Sequence, residues 1–222
     1  MKRYLTLLLL LLSGQLFAQE AGSPYYGFRL GLTAHPTLGW VKPEVGKNDG
    51  IALGFSYGLM GDFNFAENYS FATGLTITTI NGKSTEINPG AFHPAGDPTL
   101  LDYELRYRLQ YVEVPLTIKL KTNKIGDLRW YGQFGLSNDF NIGAKQNASQ
   151  AGTKIADGKN ISDYTRFYRA GLIVGAGGEY DLDDRTSLAI GLTFNNGFTN
   201  IIKDGDRKAK NHFVGINIGV FF

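Results

Sequence analysis

Between residues 51 and 65 nearly every second residue is bulky and apolar. Ile51, Leu53, Phe55, Tyr57, Leu59, Phe63 and Phe65 share one face of an extended chain. Ala52, Gly54, Ser56, Gly58, Met60, Asp62 and Asn64 share the other. A period of two is that of a β-strand. The division of residues reverses what a water-soluble strand needs: a soluble sheet hides its bulky face and turns Lys and Glu to water, whereas here the second face is small and crowded. Bulky side chains directed into lipid, with small polar ones filling a narrow closed barrel, satisfy the pattern. Closure also pairs every backbone group, which an open sheet in lipid could not do.

The same division recurs along the chain. Residues 25–34 set Tyr26, Phe28, Leu30 and Leu32 against Gly27, Arg29, Gly31 and Thr33, and residues 69–80 set Tyr69, Phe71, Leu75 and Ile77 against small and hydroxylated residues. Residues 130–140, 169–182, 187–196 and 212–222 repeat it, and a longer run covers 103–121. That predicts an all-β fold, an up-and-down antiparallel transmembrane barrel of about eight strands, each near the ~9–11 residues that cross a bilayer when tilted. In the long run the apolar phase changes: Tyr103, Leu105, Tyr107, Leu109 and Tyr111 are followed by Val112, Val114, Leu116, Ile118 and Leu120. A one-residue slip inverts both faces, so a β-bulge is expected at Tyr111-Val112, with Pro115 interrupting the ladder just beyond it.

The connections alternate in length. Residues 35–50, 81–102, 141–163 and 197–211 form four long polar loops expected to be mobile, while 66–68, 122–128 and 183–185 are three short turns. Long loops on the outer side and short periplasmic turns are the layout of transmembrane barrels. Tyr26, Tyr69, Trp130 and Tyr180 fall near the short-turn ends, where an aromatic girdle belongs.

The first residues read as an export signal. Lys2 and Arg3 precede an apolar run from Leu5 to Leu12 broken only by Thr6, and Ser13-Gly14-Gln15-Leu16-Phe17-Ala18 ends in a small residue. The run is too short to span a bilayer as a helix. Cleavage after Ala18 leaves residues 19–222 as one barrel domain. Removing Lys2 and Arg3 from 22 basic side chains leaves 20 against 20 acidic ones, a balance that argues against a nucleic-acid binder. With no Cys in the chain, a lipid-anchored Cys is excluded.

Two stretches carry a family resemblance. Tyr111-Val112-Glu113-Val114-Pro115-Leu116-Thr117-Ile118-Lys119 resembles the Tyr-x-Glu-x-Pro-Leu strand of the PorT-like outer-membrane β-barrel families of Bacteroidota. Gly171 to Tyr180 is similar to the Gly-rich strand that follows in those proteins. The resemblance implies an outer-membrane barrel. Independently of it, the last alternating strand, ending at Phe222, looks like the recognition strand that outer-membrane barrels present to the barrel assembly machinery.

Arg29, Arg106, Arg108 and Arg169 fall on the expected inner face with Glu104, Glu113 and Glu179. Long side chains of opposite charge in a narrow lumen make a plug of ion pairs, with Glu113, beside the expected bulge, as its centre. A gated path for small solutes is the alternative. An enzyme is the weaker expectation. His35, His93 and His212 are scattered, lack acidic or Cys partners at ligand spacing, and no Ser lies within two residues of His212. Gly175-Ala176-Gly177-Gly178 lies inside a strand and opens no helix, so it is not a dinucleotide loop. No cofactor is expected. The expected partners are outer-membrane lipid, the assembly machinery, and an extracellular ligand or envelope protein met through the loops; a monomer is expected.

Overall fold

The computed structural model describes residues 27–222. The expected export signal and Tyr26 lie outside them. Nine strands follow in order: β1 (Gly27–Pro43), β2 (Lys47–Ala66), β3 (Tyr69–Ile87), β4 (Asp102–Lys121), β5 (Leu128–Gln150), β6 (Thr153–Asn160), β7 (Tyr168–Asp181), β8 (Ser187–Gly197) and β9 (Ala209–Phe221). Neighbours in the sheet run β4-β3-β2-β1-β9-β8-β7-β5, and β4 also pairs with β5, so eight strands close into a ring. All pairings are antiparallel, as an up-and-down barrel requires. β6 stands outside the ring as a hairpin on the upper part of β5, joined through Ala151 and Gly152, both at positive φ. That backbone is the one a two-residue hairpin turn needs.

The bulky faces point outward as expected. Phe28, Leu30 and Leu32 on β1, Leu53 through Phe65 on β2, Phe134 and Leu136 on β5, and Ile190, Leu192 and Phe194 on β8 are exposed. They form an apolar belt around the ring, with Tyr69, Trp130 and Tyr180 at its short-turn end.

The strands continue far beyond this belt. β4 has 20 residues and β5 has 23, about twice what a tilted crossing needs. Most of the expected long loops are therefore strand: β1 runs to Pro43 and β2 resumes at Lys47, so only residues 44–46 connect them. Irregular chain remains mainly at 88–101, 161–167 and 198–208.

The expected bulge in β4 is corrected. β4 keeps a single register against β3 from Tyr69↔Leu120 to Ile87↔Asp102, and its odd-numbered residues face inward throughout. The phase change in the sequence has another cause. Below Gln110 the outer face of β4 meets lipid and the inner face is polar; above it the outer face meets water and the inner face is apolar. A strand that leaves the membrane thus exchanges the chemistry of its two sides without turning over. Pro115 does interrupt the ladder: no pairing with β3 forms at Val114 and Pro115, although the register resumes unchanged, as expected for a residue without an N–H. The bulge itself sits across the pair. Gln110 lies opposite Gly143 and Tyr111 opposite Asn141, which leaves Ile142 of β5 as the extra residue.

Above the belt the barrel encloses an apolar core. Tyr103, Leu105, Tyr107, Leu109 and Tyr111 of β4 meet Val41, Ile80, Ala144, Ala148 and Phe213 from other strands, and Ala91, Ile161, Ile201 and Ile202 from the irregular segments close over them. Thr165 bridges Ile202, and Ile161 donates its N–H to Ala144, so these segments are tied into the wall rather than loose.

Candidate functional site

The lumen within the belt is filled by two tiers of side chains, each drawn from all eight strands of the ring and polar except for Phe221 of β9. In the tier near the short turns, Arg29 of β1 pairs with Glu179 of β7 and donates to Ser187 of β8. Asp62 of β2 accepts from Lys119 of β4 at 2.6 Å and lies 3.5 Å from Lys121. Lys121 also donates to Asn64, which accepts from Ser70 of β3. Tyr131 of β5 and Phe221 of β9 complete the tier: the Lys119 ammonium stands 5.0 Å from the Tyr131 ring and 4.8 Å from that of Phe221, with Arg29 4.6 Å from the latter. Three cations thus share two carboxylates and two aromatic faces, and the aromatic quadrupoles offset the charge excess.

Nearer the outer side, Arg169 of β7 pairs with Asp139 of β5, and both are 1% exposed. Its guanidinium also donates to the side-chain oxygen of Asn195 on β8 and the backbone oxygen of Asn211 on β9. Glu113 of β4 accepts from Thr78 of β3 at 2.8 Å and from Asn195 at 3.3 Å, and Ser56 of β2 bonds to Thr78. Thr37 of β1 donates to the oxygen of Thr79. Buried ions are costly unless paired and hydrogen-bonded; here neutral Asn, Ser and Thr supply most of the partners, while Asp139 Oδ1 and Asn211 Nδ2 are left without one.

The small residues of the inner face make room for these side chains. Gly177 and Gly191 pair across β7 and β8, and a Cβ on either would lie about 2.5 Å from the Tyr131 hydroxyl. Gly197 does the same for Arg169, whose guanidinium nitrogens would meet an added Cβ at 2.7 and 2.9 Å. Between the tiers remains a cavity of about 120 Å³ bordered by His35, Met60, Gln133, Thr193 and Asn217.

A third polar cluster ties the outer segments down. Glu86 accepts from Ser84 at 2.6 Å and from the Tyr107 hydroxyl at 2.7 Å, and pairs with Arg207. Arg207 also holds Asp204, whose carboxylate accepts the N–H of Gly90. Burial, and next the charge of Glu86, push the Tyr107 phenol well above its ordinary range.

Several expected residues fall elsewhere. Arg29, Arg169, Glu113 and Glu179 face the lumen, but Glu104, Arg106 and Arg108 are exposed on the outer wall above the belt; this corrects their expected inward position and follows from the unbroken phase of β4. The carboxylate that pairs with Arg169 is Asp139, and Glu113 is held by neutral donors. Val112 points outward beside Tyr111, which is buried. Phe222 is exposed on the outward face beyond β9, its N–H donated to Leu30. Asp62, Lys119, Lys121 and Asp139 were not expected as lumen pairing residues. Each occupies the inner parity of an alternating strand, so the sequence signal was a charge at every second position of an apolar run. The three His do not converge: His35 lies beside Thr33, His93 beside Tyr103 and His212 against Trp40. Among the described residues no three His, Asp or Glu side chains gather as a metal site.

A family model described as "Outer membrane protein beta-barrel domain" matches residues 17–203. The chain belongs to that family. Among curated proteins none matches it. Solved structures similar to it include Neisserial surface protein A, at 15% identity over 88% of this chain and 97% of that one, TM-score 0.46. OprG of Pseudomonas aeruginosa is similar at 13% identity over 89% and 97%, TM-score 0.47. Ail, the attachment invasion locus protein of Yersinia pestis, solved with the heparin analogue sucrose octasulfate, is similar at 16% identity over 88% and 99%, TM-score 0.37.

Proposed function

We propose that this outer-membrane barrel is a non-enzymatic scaffold: a closed lumen that carries a rigid outer platform for contact with a surface ligand or an envelope partner. The observation that supports it most is the filling of the lumen. Two tiers of side chains drawn from all eight strands, held by hydrogen bonds, ion pairs and cation–aromatic contacts, with an apolar core above them, occupy the path that a solute would take. Eight strands leave room for little more than side chains. A channel keeps its charges apart around open water; here they are paired across it. The platform is built from strand extensions and tied segments, the construction suited to presenting a fixed surface.

Within the family we assign the chain to the PorT-like group of Bacteroidota on the two strand motifs at residues 111–119 and 171–180. Its export follows from the signal at residues 1–18, its insertion from a terminal strand ending in Phe222 read by the barrel assembly machinery, and it acts as a monomer. Planar-bilayer recording of the purified protein tests the reading. Steady, reproducible openings would overturn the closed lumen and favour a small-solute channel. Lipid A of altered mass on overexpression would instead favour a lipid-modifying enzyme; unchanged mass is expected.

A further inference from the structure

On the outer wall, just beyond the apolar belt, like charges stand directly opposite one another. Lys83 of β3 pairs with Arg106 of β4, and Arg108 of β4 pairs with Lys145 of β5. Arg106 and Arg108 are successive outward positions of one strand, so the four cations form a compact block. On the far side of the barrel Lys42 of β1 stands opposite Lys210 of β9. Like charges directly opposite in a sheet destabilise it, and none of the block's four cations forms an ion pair among the described residues. The carboxylates nearby are engaged or displaced. Asp49 is held by Lys47 and Thr85, Asp157 by Lys154 at 2.6 Å with Arg108 a weaker influence on it, and Glu104 is the next outward residue beyond Arg106.

Their height identifies what they face. At about 3.4 Å per residue and a tilt of 35–45°, Arg108 and Arg106 stand roughly 5 and 10 Å beyond Gln110 along the membrane normal. The headgroup layer of a bilayer is about 5–8 Å deep on each side, and Arg and Lys side chains reach along a wall toward anions. A shallow groove of about 410 Å³ opens beside the block, lined by Lys47, Lys83, Arg106 and Lys154 together with the carboxylates Asp49 and Glu104, so that cations outnumber anions there by four to two. Cations in excess of the nearby carboxylates at this level, on strands whose short turns lie on the opposite side, are placed to meet the headgroups of the outer leaflet.

We infer that Lys83, Arg106, Arg108 and Lys145 form a binding site for the phosphate groups of an outer-leaflet glycolipid. Arg supplies paired donors that match phosphate geometry, and the lipid anion relieves the repulsion across β3, β4 and β5. The inference rests on the scaffold reading only for the membrane orientation of the barrel; it deepens that reading by naming lipid as one surface partner.

The test uses the full chain in phosphatidylcholine nanodiscs loaded with diphosphorylated lipid A or with its dephosphorylated counterpart. Lipid retained on the protein after exchange is measured by mass spectrometry. The wild type is expected to retain the phosphorylated form, and K83Q/R106Q/R108Q/K145Q to retain it at least about tenfold less, since each cation near an anionic surface contributes roughly equally. K124Q, altered on the short-turn side, is expected to match the wild type. Equal retention of the two lipids, or full retention by the quadruple variant, overturns the site. Inorganic polyphosphate bound as tightly as lipid A would overturn the assignment to lipid in favour of a soluble polyanion. All four substitutions are exposed, and heat-modifiable gel migration confirms folding of the variant. Failure here leaves bilayer conductance unchanged, so it is distinguishable from failure of the closed-lumen reading.

Discussion

Gln110 and Val112 are successive outward residues of β4, and the apolar belt ends between them. Their partners on β3 agree: Val112 lies opposite Ile77 and Gln110 opposite Thr79. Beyond this line the outward residues are Asn81, Lys83 and Thr85 on β3 and Arg108, Arg106 and Glu104 on β4. The line therefore marks where the wall passes from lipid into water.

A charge should be costly on one side of that line and harmless on the other. Leu116 lies in the middle of the outward row Val112 to Leu120, so Leu116→Arg is expected to cost about 2–4 kcal/mol, the range for a midplane cation on a barrel. Ser149→Arg, on the water side of β5 opposite Glu104, is expected to change stability by less than about 0.5 kcal/mol. Denaturant unfolding from lipid vesicles, followed by fluorescence of Trp40 and Trp130, measures both. Equal costs would mean that the belt does not end at Gln110.

Arg169 and Asp139 are each 1% exposed and hold one another inside the lumen. Arg169→Met leaves a buried carboxylate without its partner, and a loss of about 3–5 kcal/mol is expected. Adding Asp139→Leu removes the stranded charge and is expected to recover much of that loss. The same unfolding assay distinguishes the cases. A double variant no better than the single one would mean that Asn195 and Asn211, not the ion pair, dominate the tier.

The barrel, its parity and its short turns were legible from period-two alternation because lipid on one side and a crowded lumen on the other act on every residue alike. The outer extension was not legible. Tyr103 to Tyr111 showed the bulky residues of a lipid-facing row, but they face a protein core, and a sequence pattern alone does not say which apolar medium a row meets. Placing Arg106 and Arg108 inside followed from that single misassignment. Asp139 was missed for a different reason: its partner Arg169 lies 30 residues away in sequence, and only the pairing of β5 with β7 brings them together.

Ile142 is the extra residue that lets β5 keep its small residues inside above the belt: Ala144, Gln146 and Ala148 face the core, and Lys145 and Asn147 face out. Deleting Ile142 inverts that stretch and drives Lys145 and Asn147 against Tyr107 and Leu109. The expected outcome is a barrel that still shows heat-modifiable migration but whose outer part is cut by trypsin at Lys145, Lys154 or Lys159, sites resistant in the parent. Unchanged resistance would show that the hairpin β5–β6 slides to absorb the deletion.

Tyr107 gives the cap a pH limit. Its hydroxyl is buried and donates to Glu86, and its ionisation is pushed well above the ordinary range. A phenol whose folded pKa is raised contributes stability that is complete below the unfolded value of about 10 and is lost as pH rises toward the folded one. The cap should therefore resist proteinase K equally at pH 8 and 9.5 and open progressively above about pH 10. Tyr107→Phe loses a hydrogen bond to a charged acceptor, about 1.5–3 kcal/mol at pH 8, but it removes the alkaline penalty. The difference between the two proteins should then shrink from pH 10 to 11.5. A constant difference across that range would place the alkaline transition on another group.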